Sequence, residues 1–251
     1  MPSAVRTPPP GALPLVLAGE AVVLLPERAA LWHDLLLVAD VHLGKGDHFR
    51  ARGLPLPPGE LDEDLDRLAA LVAATGARRL RVLGDLVHGR VGGATEARVA
   101  AWAAALPAAI ELVPGNHDRH EAELPVAWGV RRLAPEVQEG PFTFAHAPDT
   151  AALTLAEADR AARGAGDAPI ADASANAEPR GARRVRFAGH VHPTAALSGL
   201  ADRLRFPAFI VTEALVLLPA FSRFSGGPVV RAAPGLRRYA CLEDEVFALD
   251  G

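Results

Sequence analysis

The stretch Leu35-Leu36-Leu37-Val38-Ala39-Asp40-Val41-His42 decides how this chain is read. Its unbroken apolar run, Leu35–Ala39, predicts a strand buried on both faces. The run stops abruptly at Asp40-x-His42. The same change from apolar to polar recurs down the chain. Leu80–Leu83 runs into Gly84-Asp85, and Ile110–Val113 into Pro114-Gly115-Asn116-His117-Asp118. Phe142–Ala145 runs into His146, and Val185–Ala188 into Gly189-His190-Val191-His192. In α/β sheets, sites form beyond the carboxyl ends of the strands, where the loops emerge together. These polar ends are therefore expected to meet, although Asp40 and His192 lie far apart in sequence.

The segments between them complete an α/β pattern. Gly59–Gly76 carries Leu61, Leu65, Leu68, Leu71 and Val72 at helical spacing, with acidic residues first and Gly76 last. Thr95–Leu106 predicts a second helix. Leu13–Leu17 and Ala21–Leu25, separated by Gly19-Glu20, predict a hairpin. Leu204–Val211 with Glu213–Leu218, and Arg238–Leu242 with Val246–Leu249, predict two late antiparallel pairs. Residues 1–12 are proline-rich and read as a flexible tail. Residues 13–251 read as one domain. Within it, residues 149–184 are rich in Ala, Gly and Asp and read as an insertion, in which Thr154-x-x-Glu157 would open a short helix as a capping box and the stretch after Gly164 is low-complexity.

Composition narrows the classes. The chain has 251 residues, half of them hydrophobic, enough for a sizeable core. One cysteine, Cys241, excludes a disulfide framework and a multi-cysteine zinc site, and reads as a small buried apolar residue. Twenty-six basic against thirty acidic residues give −4, which excludes a globally basic nucleic-acid coat. No apolar run approaches the ~20 residues of a membrane span. The start, Met1-Pro2-Ser3 leading to Pro8-Pro9-Pro10, is unlike a secretory signal, so the expected location is cytoplasmic. Lys45 is the only lysine. Trp32, Trp102 and Trp128 read as core. His33, His48 and His120 read as surface, as do Arg78, Arg79 and Arg81, and Arg183, Arg184 and Arg186.

The donors at the strand ends suit a pair of divalent ions. Carboxylate, imidazole and an amide oxygen, without thiolate, match Mn, Fe or Zn, with Mn2+ preferred. Asp40, His42 and His192 are expected to hold one ion, and Asn116, His146 and His190 the other. Asp85, with two oxygens, is expected to bridge them. Residues two apart in an extended segment point the same way, which would explain the Asp-x-His and His-x-His spacings. Two such ions, those carboxylates and a hydroxide leave about +1, which welcomes a phosphate; the ions would bind phosphoryl oxygens and make water a nucleophile. His117 is expected to protonate the leaving group, with Asp118 holding its tautomer.

At these residues the sequence resembles the calcineurin-like metallophosphoesterase superfamily, whose D-x-H, G-D, G-N-H-D, H and G-H-x-H pattern is present in order. The resemblance implies an α/β fold, a four-layer αββα sandwich of two mixed β-sheets flanked by helices. Asp40-Val41-His42-Leu43-Gly44-Lys45, Phe49-Arg50-Ala51-Arg52-Gly53, Gly84-Asp85-Leu86-Val87-His88 and Gly189-His190-Val191-His192-Pro193 are similar to the bacterial ligase-associated DNA-damage-response phosphoesterases. So are Leu218-Pro219-Ala220-Phe221 and Phe224-Ser225-Gly226-Gly227. That resemblance implies a DNA endonuclease working with an ATP-dependent DNA ligase and a helicase. The insertion is longer than this group leads one to expect.

Lys45, Arg50 and Arg52, just beyond a ligand loop, are candidate contacts for a DNA phosphate, and His88 for the substrate. The leading expectation is a dimetal phosphodiesterase acting on nucleic acid. The alternative, favoured by the net charge and the lack of a basic stripe, is a phosphodiesterase or phosphatase for nucleotides or cyclic nucleotides. A non-catalytic scaffold is disfavoured because no ligand is missing.

Overall fold

The computed structural model describes residues 8–54, 59–89, 91–118, 124–148, 184–198 and 203–250. The expected insertion, apart from Arg184, lies outside them, as do residues 1–7, His120 and Arg183. The first sheet has the order β1 (Leu13–Leu17), β2 (Glu20–Leu25), β3 (Ala29–Trp32), β4 (Leu35–Ala39), β5 (Arg79–Leu83), β6 (Ala109–Val113) and β7 (Arg131–Arg132). It is antiparallel from β1 to β4 and parallel from β4 to β7. The second sheet runs β15 (Val246–Ala248), β14 (Arg237–Cys241), β12 (Arg203–Val211), β13 (Leu215–Leu217), β10 (Val185–Ala188), β9 (Phe142–Ala145), β8 (Glu136–Glu139). Strand β10 is parallel to both neighbours, and β11 (Thr194–Ser198) forms an arm with β12.

Both predicted late antiparallel pairs are present. Strands β3, β7, β8 and β11 and the short helix α1 (Lys45–Ala51) were not expected. They are short and carry no clear apolar period. Residues 8–12 are not a free tail. The Gly11 carbonyl accepts the Val246 N–H at 2.8 Å, and a Cβ on Gly11 would lie 1.7 Å from the Asp244 carbonyl oxygen. The absence of a side chain there lets the turn press onto the β14–β15 connection.

Alternation along β4 distributes the core. Leu35, Leu37 and Ala39 join Phe142, Phe144, Phe187 and Phe209 between the sheets. Leu36 and Val38 face the other way, with Leu65, Leu68, Leu71 and Val72 of α2 (Glu60–Thr75) and Val99 and Trp102 of α3 (Gly93–Ala105). The helices thus cover one sheet. On the outer face of the second sheet, the cluster of Ile210 and Leu217 is closed by Val230 and Leu236 among the described residues. All three tryptophans and Cys241 are buried. Among the described residues, no helix is long and apolar enough to cross a membrane.

The parallel register positions the site. Ala39 pairs with Leu83, and Leu83 with Val113, so these strands end level. Phe144 pairs with Phe187, and Ala188 with Leu217, so β9, β10 and β13 also end level.

Arg81 departs from its expected place on the surface. Alternation turns it between the sheets, where it is 2% exposed and lies over the Phe144 ring at 4.7 Å. It pairs with buried Glu111 at 2.7 Å and with Glu139 at 2.8 Å. Arg131 also pairs with Glu111, and Arg79 with Glu139 at 2.7 Å. Arg78 is exposed, as expected, while Arg186 pairs with Glu136 at 2.7 Å.

Removing one member of a buried pair leaves its partner uncompensated, so Arg81→Leu is expected to cost about 3–5 kcal/mol in chemical denaturation. The Arg79 and Arg81 guanidiniums hold the Glu139 carboxyl down at about 2. A depressed carboxyl stabilises the fold fully above its unfolded value, and that stability is lost as pH falls toward the folded one. Thermal melts should therefore drop between about pH 4.5 and 2, and Glu139→Gln should flatten that drop.

Candidate metal centre

The loops at the level strand ends continue to pair. Asp40 N–H donates to the Gly84 carbonyl at 3.2 Å, and His42 N–H to the Asp85 carbonyl at 2.9 Å. Across the junction, Gly189 N–H donates to the His146 carbonyl at 2.9 Å. Asp40 sits at the meeting point and is fully buried. Its Oδ2 accepts the His190 backbone N–H at 2.9 Å. Its Oδ1 faces His192 Nε2 at 3.2 Å and His146 Nδ1 at 3.8 Å.

Two groups of donors result. Asp40, His42 and His192 bring ligand atoms within 4.8 Å of one another, and so do Asp40, Asp85 and His146. Asp40 is common to both groups, and Asp85 stands in the second. Asn116 and His190 stand beside the second group. His146 Nδ1 lies 3.0 Å from the Leu83 carbonyl, which can only accept. Nδ1 therefore carries the proton, and Nε2 presents a lone pair. That Nε2 lies 2.9 Å from Asn116 Oδ1, 3.1 Å from His190 Nδ1 and 3.6 Å from Asp85 Oδ1.

This donor set fits divalent ions. Asp40 Oδ1 and His192 Nε2 are buried and hydrogen-bond to nothing, although they face each other. Buried polar atoms without partners are rare, and a cation between them would satisfy both. Burial, followed by the charge of Lys45, pushes the His42 imidazole down to about 2, and burial also lowers His190. Neutral rings are what metal ligation requires. Burial raises the Asp85 carboxyl, against the pull of His146 and of the His117 N–H.

The Asp-x-His and His-x-His spacings have a different cause from the expected extended backbone. Asp40, His42, Asp85, His190 and His192 all have positive φ, between 48° and 67°. They are five of the eight described non-glycine residues that do. Left-handed backbone is costly for such residues and persists where surrounding contacts impose it. The motif glycines supply room. A Cβ on Gly189 would lie 2.5 Å from Asp40 Oδ2, and one on Gly115 2.2 Å from Asp85 Oδ1.

His117 stands at the mouth. Its backbone N–H donates to Asp85 Oδ1 at 3.0 Å, while its ring is partly exposed, with Nε2 3.9 Å from Asp85 Oδ2. Asp118 does not touch that ring. Its oxygens accept the backbone N–H groups of Gly115 at 2.8 Å and Val87 at 3.3 Å, so it braces the loop instead. A carboxylate that is 2% exposed under a turn of backbone amides is drawn to those amides. His88 Nδ1 lies 3.3 Å from His42 Nδ1, and its ring centroid is 4.8 Å from that of His117. Burial and the charge of His117 lower it to about 4.

His48, expected on the surface, packs edge-on to His88 at 4.8 Å. The helix that carries it, α1, has Asp47 in its first turn and Arg50 in its last; that dipole-matched pattern was the available signal. Lys45 and Arg50 have partners within the chain. Lys45 Nζ donates to the Phe224 carbonyl at 2.8 Å and Ser225 Oγ at 2.9 Å. Arg50 pairs with Asp47 at 2.9 Å and Glu60 at 3.5 Å. Arg52 is exposed, with no ion pair among the described residues.

A family model described as calcineurin-like phosphoesterase matches residues 33–193. The chain belongs to the calcineurin-like phosphoesterase family. It is a metal-dependent phosphoesterase, a hydrolase. The crystal structure of the Pseudomonas putida nuclease MPE is similar to this phosphoesterase at 30% identity, with a TM-score of 0.72, over 95% of this chain and 100% of that one. Yfce, a phosphoesterase from E. coli, matches at 15% identity and a TM-score of 0.40, over 84% of this chain and 95% of that one. No curated protein matches.

Gly189→Ala and Gly115→Ala are expected to displace the carboxylates of this centre. Small misplacements at a reacting site cost on the order of 100-fold. Hydrolysis of bis(4-nitrophenyl) phosphate with Mn2+ should fall by about that much in either variant. Gly93→Ala, where a Cβ meets nothing within 4 Å, should leave it unchanged.

Proposed function

We propose that this phosphoesterase hydrolyses phosphodiester bonds of nucleic acid, with DNA as the foremost substrate, using two divalent ions. The observation that carries the reading is the convergence of donors from distant strand ends on buried Asp40. Likeness over nearly the whole chain to a protein described as a nuclease supports the choice of substrate. The sequence resemblance adds a place in DNA repair beside an ATP-dependent DNA ligase and a helicase.

Asp40, His42 and His192 would hold one ion, and Asn116, His146 and His190 the other, with Asp85 between them. Oxygen and imidazole donors make Mn2+ the metal of choice, with Fe and Zn as rivals. Bound ions supply Lewis acidity toward the phosphoryl oxygens and an activated water. His117 has a solvent-reaching ring next to Asp85 and, with no ligand role in this reading, would protonate the departing oxygen. His88 flanks it and lines the same mouth. Asp118 acts through the loop by fixing the turn that presents Asn116 and His117.

Small nucleotide esters are the second reading. It is favoured by the commitment of Lys45 and Arg50 to internal partners, which leaves Arg52 as the uncommitted cation of the three. Salt dependence separates the two, because each DNA phosphate neutralised steepens a negative log–log slope. Nucleic acid as substrate predicts cleavage of single- or double-stranded DNA with such a slope. Cleavage of cyclic nucleotides alone, insensitive to salt, would decide for the small esters. His117→Ala should lower the rate by about 10²–10⁴-fold on a poor leaving group and much less on a nitrophenolate. An equal loss on all esters would remove its role as proton donor.

A further inference from the structure

The sole lysine of a chain whose other 25 basic residues are arginine is half-buried and has an assigned contact. That contact leads to the segment after β13, which is pinned by cations to the first sheet and to helices α1 and α2. Arg28 donates to the Ala220 and Ser222 carbonyls at 3.3 and 3.0 Å. Arg67 donates to the Phe221 carbonyl at 3.1 Å and lies over its ring at 4.1 Å. Lys45 takes the Phe224 carbonyl and Ser225 Oγ.

This segment joins two candidate ligands. At its start, Phe221 N–H donates to the Ala39 carbonyl at 2.8 Å and Ser222 N–H to the Asp40 carbonyl at 3.3 Å. At its end, Gly227 lies so close to His192 that a Cβ would meet the His192 carbonyl oxygen at 2.1 Å. Thr194 N–H donates to the Pro228 carbonyl at 2.9 Å. The segment is a strap from Asp40 to His192, and Lys45 holds its middle. Lys45 also touches the third ligand, since its backbone N–H donates to the His42 carbonyl at 3.2 Å.

We propose that Lys45 is a positioning residue for the Asp40–His42–His192 ion site, tying all three ligand backbones into one unit through its amide and its ammonium. The inference rests on the dimetal reading above. A compact ammonium with three donors suits two acceptors, a carbonyl and a hydroxyl, in a half-buried space, where a planar guanidinium fork is larger. Lys45 has no such direct link to Asn116, His146 or His190, so its effect falls first on the ion of the Asp40–His42–His192 site.

The test is a titration of the full-length, metal-free chain with Mn2+, followed by calorimetry and by the electron paramagnetic resonance signal of bound Mn2+. Wild type should take up two ions. Partners behind metal ligands are worth about 10–100-fold in affinity. Lys45→Met should therefore bind one ion as wild type does and the other about 10-fold or more weakly. Ser225→Ala, which removes one acceptor, should weaken the same ion less. The double variant should be no worse than Lys45→Met. Should Lys45→Met not fold, Ser225→Ala carries the test alone. Two ions bound with wild-type affinity by these variants, or equal weakening of both ions, would overturn the proposal. A wild-type chain taking up fewer than two ions would instead sink the dimetal reading, and this inference with it.

Discussion

A carboxylate shut away from water needs a positive partner, and Asp40 is shut away completely. An uncompensated charge in such a place costs several kcal/mol even after relaxation. The protein surrounds it with the His190 amide, two imidazoles and the strap that follows β13. Elements from both sheets must therefore arrive together. The level ends of β4, β5 and β6, and of β9, β10 and β13, bring them there. Asp40 Oδ1 and His192 Nε2, left facing each other without a hydrogen-bond partner, make the arrangement complementary to a cation rather than self-sufficient.

The same place concentrates strain. Five donor residues hold left-handed backbone, and motif glycines allow other loops to press within contact of Asp40 and Asp85. The surrounding fold is what maintains those conformations. The apolar layer between the sheets, with Phe142, Phe144, Phe187 and Phe209, is continuous beneath the site. Arg81 and Glu111 lie within that layer as a charged pair flanked by Glu139 and Arg131. The strain thus rests on a core that joins both sheets, which is where a rigid support is needed.

Much of this was legible in one dimension. Runs such as Leu35–Ala39 and Val185–Ala188 declare buried strands by composition, and the polar residues that stop them name the candidate donors. The spacing of Leu65, Leu68, Leu71 and Val72 declares α2. What escaped reading shares a cause. Helix α1 is too short for a hydrophobic period. Arg81 looks like a solvated neighbour of Arg78 and Arg79, and only strand alternation between two packed sheets turns it inward. Asp118 adjoins His117 in sequence, whereas its oxygens answer to the amides of Gly115 and Val87.

By itself, then, the sequence determined the apolar strands β4, β5, β6, β9 and β10, the helices α2 and α3, and which side chains end those strands, because these follow from local runs and spacings of apolar residues. Tertiary structure alone decided that Asp40 belongs to both donor groups, that Lys45 is committed to the Phe224–Ser225 segment, and that the donor spacings come from left-handed backbone. Each of these depends on what a distant part of the chain places opposite a residue, and hydrogen bonding and burial are settled by that neighbour.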